Sequence, residues 1–372
     1  MGTRVKAILA MGMLLSACGG SGGANVASHT PSSSASASAS ASPTSQPSAA
    51  PQPVSKPYGV LVGSQAASTY TVSLIGVDGK VAASAEAGTP PLTTCGKVAA
   101  LPFPLPVSTS NSRLYFMDGS GAINWLAPDG SKSSSPVLKV AATTTSQRAT
   151  FAVSPDDAKV AVVVATYSTS GATTKLYMYD LNAGGSSQLI FSESGARSLW
   201  AVGWHGTNNL VLAVVPACVQ GGGPFCCGMQ ELHVVDPATA TRRFTIGTWA
   251  TCPIAGPPSP AGVVCLSGPD FTAGKYLNWT AGTVKSVVLA NLGAAFVSPG
   301  GGMIAFADPT GTEFTLGAAR IPNMDACAWI DETHVMSGGD AQHQPRVADV
   351  VNGGIVPVAA TGDCGGRLPG GL

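Results

Sequence analysis

Charged side chains are scarce in this 372-residue sequence: Asp, Glu, Lys and Arg make up 10% of it, and its formal net charge is zero. A typical globular protein has about 25% charged residues. No cluster of Lys and Arg occurs after residue 17, so binding to nucleic acid lacks its electrostatic basis. The scarcity of charge does not indicate disorder, because 45% of the residues are hydrophobic and disordered chains have low hydrophobicity. We therefore expect a globular protein without a nucleic-acid partner.

Long hydrophobic runs and helical periodicity are also missing after residue 17. Apolar runs such as Val160–Ala165 and Leu210–Val215 have the length of a strand, whereas crossing a bilayer takes about 20 residues. Glycine and proline are abundant, with 46 and 28 residues, as expected for many short strands joined by turns. The sequence therefore predicts an all-β protein.

The first 17 residues have the features of an export signal. Arg4 and Lys6 precede an apolar stretch from Ala7 to Leu15, which is too short for a transmembrane helix and typical of a signal peptide. The residues that follow, Leu-Ser-Ala-Cys ending at Cys18, resemble the bacterial lipobox. That resemblance implies a diacylglyceryl lipid on the Cys18 thiol, further acylation such as palmitate, and cleavage before Cys18. The alternative is an ordinary secretory signal with a chance cysteine.

If Cys18 is acylated, the protein is attached by lipid to the cell membrane or the outer membrane and faces outside the cytoplasm. Two or three acyl chains anchor a protein stably where one does not. Residues 18–56 are rich in Ser, Ala and Pro and nearly devoid of large apolar residues, so we expect a disordered linker. The predicted organisation is a signal peptide over 1–17, a lipidated linker over 18–56 and a folded domain over 57–372.

A unit of strand, turn and strand recurs through residues 57–372. Its clearest copy places Ser154-Pro155-Asp156-Asp157 between two apolar strands, and a degenerate copy begins at Ser298-Pro299. Two further copies begin with Trp204 and Trp329. This pattern resembles the TolB-type, WD40-like β-propeller repeat, a Ser-Pro-Asp-Gly turn followed by a hydrophobic strand, although Asp157 stands in place of the usual glycine. The resemblance implies a β-propeller of six or seven blades; the competing fold is a pair of β-sandwich domains.

Nine cysteines occur in the sequence, and eight remain if Cys18 carries the lipid. An even number of cysteines in an exported protein suggests disulfides; the alternative is free, buried thiols. Three groupings by position are Cys252 with Cys265 across a Gly/Pro-rich turn, Cys218 with Cys226 or Cys227, the other reaching elsewhere such as Cys95, and Cys327 with Cys364, which would tie the C-terminal tail to the last blade. We expect no metal site, since no C-x-x-C pair with nearby histidines occurs.

No catalytic residue can be nominated from spacing, because triads are recognised by geometry. His205, His334 and His343 fall at or near turns, and the six tryptophans fall mostly in or beside strands, where core packing is the ordinary role. We expect no cofactor. The first hypothesis for function is a binding platform for a protein, peptide or glycan; the alternatives are a propeller-based hydrolase or lyase of the cell envelope, and a structural envelope component.

Overall fold

The computed structural model describes residues 51–95, 103–169, 171–217, 229, 231–268, 273–288, 294–308, 310–315 and 320–372. These residues form 27 β-strands and no helix. Residues 1–50, which include the expected signal peptide, Cys18 and most of the expected linker, lie outside the described part.

The strands form seven antiparallel sheets, named blades 1 to 7 here. Blade 1 contains β1 (Tyr58–Val62), β2 (Thr69–Gly76), β3 (Val81–Gly88) and β27 (Asp363–Leu368); blade 2 contains β4 (Val107–Thr109), β5 (Leu114–Met117), β6 (Ala122–Leu126) and β7 (Leu138–Lys139). Blade 3 contains β8 (Gln147–Val153), β9 (Lys159–Tyr167), β10 (Ala172–Asp180) and β11 (Ser186–Gly195); blade 4 contains β12 (Arg197–His205), β13 (Asn209–Pro216), β14 (Glu231–Val235) and β15 (Arg242–Ile246).

The remaining three blades follow in chain order. Blade 5 has three described strands, β16 (Val263–Ser267), β17 (Ala273–Leu277) and β18 (Thr283–Val288). Blade 6 contains β19 (Ala294–Val297), β20 (Ile304–Asp308), β21 (Gly311–Phe314) and β22 (Ile321–Pro322); blade 7 contains β23 (Ala326–Trp329), β24 (His334–Ser337), β25 (Arg346–Asp349) and β26 (Ile355–Pro357).

The last strand of the chain completes the first sheet. β27 pairs antiparallel with β1, so that Tyr58 lies opposite Leu368 and Val62 lies opposite Asp363. β27 contacts both β4 and β23, and β8 contacts β4 and β12, so the first strands of neighbouring sheets lie side by side. Radial packing of four-stranded sheets around a central channel defines a β-propeller. The fold is therefore a seven-bladed β-propeller, and the alternative of two sandwich domains is wrong.

Each pair of neighbouring blades encloses a hydrophobic cluster. Between blades 7 and 1, for example, Leu61 and Ile75 pack against Ile330, Met336 and Val347, all at most 1% exposed. The other six interfaces, from blades 1–2 to blades 6–7, each have such a cluster. Because the central strands of a blade are covered on both faces, their sequences are continuous apolar runs rather than alternating ones, as in β9, where Val160 to Val163 are all buried.

The recurring tryptophans join one blade to the next. Trp204 of β12 donates its indole N–H to the carbonyl of Ala152 on β8 at 3.0 Å. Trp329 of β23 donates in the same way to Phe296 on β19 at 3.2 Å. Both tryptophans are at most 4% exposed, so their indole N–H groups need an acceptor. The repeated tryptophan therefore has a structural role at two blade interfaces.

Two cysteine pairs are joined within the described part of the chain. Cys327 of β23 is bonded to Cys364 of β27, with 5.8 Å between Cα atoms, which links blade 7 to the strand that closes blade 1. Cys252, in the loop before β16, is bonded to Cys265 on that strand. Cys95 is also disulfide-bonded; Cys226 and Cys227, one of which was expected to reach it, and Cys218, expected to pair with the other, lie outside the described residues. The structure thus has disulfides at the ring closure and within blade 5.

Candidate functional site

A channel runs between the innermost strands and encloses a cavity of about 530 Å³. Six of the seven innermost strands line it (β4, β8, β12, β19, β23 and β27), together with the Gly/Pro-rich segment that precedes β16. Its size is in the range typical of small-molecule and peptide pockets. We call this cavity the central channel.

The lining of the central channel is mainly apolar. Its described aromatic residues are Phe103, Phe151, Trp200, Trp204, Phe296 and Trp329. Prolines contribute too, among them Pro104, Pro106, Pro257, Pro258 and Pro260. Among the described residues that line it, the charged side chains are Arg148 and Arg367. The channel therefore offers a large apolar surface with two cations.

The C-terminal segment lies across one end of the channel. The N–H of Gly370 donates to Ser110 and that of Leu372 donates to Trp204, both at 2.6 Å, and Nδ1 of His205 lies 2.6 Å from the Leu372 oxygen. The Leu372 side chain packs on Gly203, where an added Cβ would lie only 2.7 Å from a Leu372 methyl carbon. A side chain at Gly203 would therefore require the Leu372 side chain to shift.

Arg148 lies at the start of β8 and is 7% exposed. Its guanidinium stacks over the Phe103 ring at 4.9 Å, a cation–π contact. Burial lowers the pKa of Arg148, and burial raises the pKa of the nearby Tyr167 phenol to about 12. At neutral pH the group beside Phe103 is thus a buried cation next to a neutral phenol.

A bulge in β12 turns its two tryptophans toward different sides of blade 4. The pairing with β13 shifts register between Ala201 and Gly203. Trp204 packs with Ala152 and Leu176 at the interface with blade 3, whereas Trp200 packs with Val263 and its neighbours at the interface with blade 5. Residues four apart on a regular strand share a face; the bulge breaks that rule and lets both indoles line the channel.

A second cavity, of about 380 Å³, opens between blades 3 and 4. It contains His233, whose Nε2 lies 2.9 Å from Glu231, and Arg242, whose guanidinium lies 3.3 Å from the same ring nitrogen. Burial lowers the pKa of His233, against the opposing effect of Glu231. Glu193 and Arg197 complete the charged lining. Within the cleft His233 pairs with Glu231 and lies beside Arg242.

The other histidines that the sequence singled out lie at strand ends or in a loop. His205 ends β12 and stacks on Trp279 at 5.4 Å. His334 bonds Asp331 at 3.0 Å, and the exposed His343 bonds Asp340 at 3.2 Å. Across the described part of the chain no three His, Cys, Asp or Glu side chains converge in an arrangement that could hold a metal ion.

Comparison with known proteins gives no family for this chain. No protein-family model matches it, and no curated protein matches it either. Among solved structures, a hydrazine synthase chain from Kuenenia stuttgartiensis is similar, with 15% identity and a TM-score of 0.41 over 68% of this chain and 80% of that one. The propeller assignment rests on the strand order described above and not on this similarity.

The sequence analysis did not single out Arg148 or Phe103, which both line the channel. It treated Trp200 only as one of six tryptophans expected to pack in the core. One signal was present for Arg148. It is the single charged residue in β8, the sequence from Gln147 to Val153, where the rest of the strand is apolar apart from Gln147 and Thr150. A cation in a strand buried on both faces has to be matched by something inside the fold.

Across the described residues, no helix has the length and apolar character needed to cross a bilayer.

Proposed function

We propose that this protein is a lipid-anchored binding protein outside the cytoplasm, which takes an apolar ligand segment into the central channel of its propeller. The observation that carries the proposal is the channel itself, about 530 Å³ of space lined mainly by aromatic, aliphatic and proline residues. A concave, largely apolar pocket with a few polar groups is the usual form of a ligand site. Rigid propeller blades hold such a lining in place without ligand.

The lining supports one of the expected ligand classes over the others. A glycan exposes many hydroxyl groups, and each would have to exchange water for a protein partner. The described lining has few side chains that could bond them, namely the two arginines and the hydroxyls of Ser108, Thr109, Thr150 and Ser259. A peptide with apolar side chains loses less on entering and buries more apolar surface, worth about 25 cal/mol per Å². We therefore favour an apolar peptide segment or a comparably apolar small molecule.

The location is supported by the sequence of the first 18 residues and by the disulfides. Cys252–Cys265 and Cys327–Cys364 fit an oxidising compartment, because disulfides rarely persist in a cytosol. A lipid on Cys18, followed by a flexible linker over 18–56, would hold the propeller near a membrane surface while leaving the channel open to a ligand.

One pull-down from detergent-solubilised membranes tests both parts of the proposal. Wild-type protein should fractionate with membranes and carry its ligand, whereas Cys18→Ser should be released from the membrane fraction. Val202→Trp places an indole in the channel, which Val202 lines, and should reduce the ligand recovered at least about fivefold by filling the space. The matched control is Val288→Trp, because Val288 is 85% exposed.

Two results would overturn the proposal separately. Membrane attachment of Cys18→Ser as firm as that of wild type would contradict the anchor. Equal recovery of the same molecules with Val202→Trp and with wild type would contradict the channel as the binding site.

A further inference from the structure

The central channel contains a buried cation that no carboxylate of the described residues neutralises. Arg148 is 7% exposed and lines the channel. Among the described residues no carboxylate forms an ion pair with it; the charged or titratable neighbours that act on it are the phenols of Tyr167 and Tyr70, and its direct contact is the Phe103 ring. A buried charge is costly unless it is paired and hydrogen-bonded. Arg148 therefore retains unused capacity to bind an anion.

An unused hydrogen-bond donor lines the same channel. Trp200 is 9% exposed, and its buried indole nitrogen has no hydrogen-bond partner among the described residues. The other three buried tryptophans all have one: Trp204 and Trp329 donate to the neighbouring blade, and Trp279 donates to Pro260 at 3.0 Å. Buried polar groups are nearly always bonded, so an exception calls for an explanation.

Phe103 brings these two groups together. Its ring centroid lies 4.9 Å from the Arg148 guanidinium carbon and 6.4 Å from the centroid of the Trp200 ring. All three side chains line the central channel. We call Arg148, Trp200 and Phe103 the donor cradle: five guanidinium N–H donors and one indole N–H beside an aromatic surface.

We propose that the donor cradle binds a carboxylate carried by an apolar ligand body, a deepening that rests on the channel-binding function proposed above. The planar guanidinium matches a carboxylate through two parallel hydrogen bonds. Arg148 supplies a single positive charge in apolar surroundings, which balances a carboxylate; a phosphate monoester, with a charge of about −1.5 to −2, would leave excess charge buried.

The second arginine of the channel serves as an internal comparison. Arg367 also lines the channel, but Glu332 and Asp331 act on it electrostatically. Its charge is therefore opposed by carboxylates of the protein, whereas that of Arg148 is not. Removing Arg367 changes the charge of the channel by the same amount while leaving the donor cradle intact.

Matched acids and amides test the proposal on the full-length protein. The probes are octanoate with octanamide, and an N-acetylated tetrapeptide ending in Leu as its free acid and as its C-terminal amide. Affinity is measured by calorimetry, and the indole ¹H–¹⁵N resonance of Trp200, assigned with Trp200→Phe, reports the site. The acid of at least one pair should bind at least about tenfold more tightly than its amide and should shift that resonance. A preference for octanoate over octanamide indicates a free aliphatic acid as the ligand. A preference for the peptide acid over its amide indicates a peptide C-terminus.

Variants then separate the cradle from the general charge of the channel. Arg148→Met should remove the preference for acid over amide, and Arg148→Lys, which keeps the charge but not the bidentate geometry, should retain a smaller one. Arg367→Met should keep the preference for acid because the donor cradle is intact. Trp249→Phe should also keep it, since Trp249 is 50% exposed. If Arg148→Met does not fold, the proposal is tested by the ratio of acid to amide affinity in wild type and in Arg148→Lys.

Three outcomes would overturn the carboxylate inference: equal affinity for acid and amide in both pairs, no binding of either acid, or an acid preference that Arg148→Lys leaves unchanged. If acid and amide bound with equal and measurable affinity, the channel would still bind ligands, but the donor cradle would not recognise a carboxylate. Loss of the channel-binding function itself is read from the Val202→Trp pull-down, which does not depend on these probes.

Discussion

Asp157 shows how a single side chain holds a strained backbone in place. It has φ of +60°, and Gly301, which takes the same position in the corresponding turn of blade 6, has φ of +82°. An L-residue other than glycine rarely adopts this conformation. The Asp157 carboxylate accepts hydrogen bonds from the hydroxyls of Ser112 and Tyr115 on blade 2, both at 2.7 Å. These bonds between blades offset the backbone cost and explain why a residue other than glycine is stable at this position.

Substitutions at Asp157 should separate the two effects. Asp157→Ala loses both bonds and keeps the unfavourable φ, so we expect the free energy of unfolding to fall by about 2 kcal/mol. Asp157→Gly loses the same bonds but relieves the backbone, and should cost about 1 kcal/mol less than alanine does. Urea denaturation measures both. A glycine variant less stable than the alanine variant would refute the backbone argument.

His233 should make the protein less stable in mild acid. Burial lowers the pKa of His233 in the folded state. In the unfolded chain the same histidine has a pKa of about 6.5, so it binds the proton more readily. Stability is therefore fully present above that value and is lost as the pH falls below it. Between about pH 7.5 and about pH 5.5, His233→Gln should lose less stability in urea than wild type does. His343→Gln, at an exposed site, is the control; an unchanged acid sensitivity in His233→Gln would contradict this assignment.

At the scale of elements, β27 holds the ring closed. It provides the fourth strand of blade 1 through its pairing with β1, and Cys364 bonds it to blade 7. A chain that ends after Thr361 lacks this strand, exposes the edge of β1 and opens the ring. We expect it to lose cooperative unfolding, whereas a chain that ends after Leu368 should unfold cooperatively.

Cys327→Ala in the full-length chain controls for the lost disulfide. If the chain ending after Thr361 unfolded as cooperatively as this control, strand closure would not be what stabilises the ring. Circular dichroism with thermal scanning distinguishes these results.

The turns and strands of single blades were predictable from the sequence, because local chemistry determines them. Ser154 to Asp157 predicted the turn between β8 and β9, and in the structure the Ser154 hydroxyl accepts the N–H of Lys159 at 2.8 Å. The pairing of Cys327 with Cys364 was expected to tie the tail to the last blade. The sequence does not reveal that the tail is itself a strand of blade 1, since that pairing joins residues from opposite ends of the folded domain.

At the scale of the whole molecule, the number of blades and the donor cradle required the structure. In blade 5 the turn before β16 reads Ser259-Pro260-Ala261-Gly262, and the blade shows three described strands; counting motifs gave six or seven blades, with seven slightly favoured. Arg148, Trp200 and Phe103 come from three separate parts of the chain. The bulge between Ala201 and Gly203 sets the direction of the Trp200 side chain. No residue pattern in the sequence predicts this bulge. Radial packing assembled the site, and local periodicity carries no information about it.

The central claim is that a ligand occupies the channel of the propeller in the cell, and photo-cross-linking from inside the channel tests it most directly. Val202, which lines the channel, and the exposed Val288 of β18 are each replaced by p-benzoylphenylalanine in the full-length protein. The cells are irradiated, and the purified protein is weighed by intact mass spectrometry. We expect a discrete adduct from position 202 and none of the same mass from position 288. The same adducts from both positions, or only unmodified and water-quenched protein from position 202, would contradict the account.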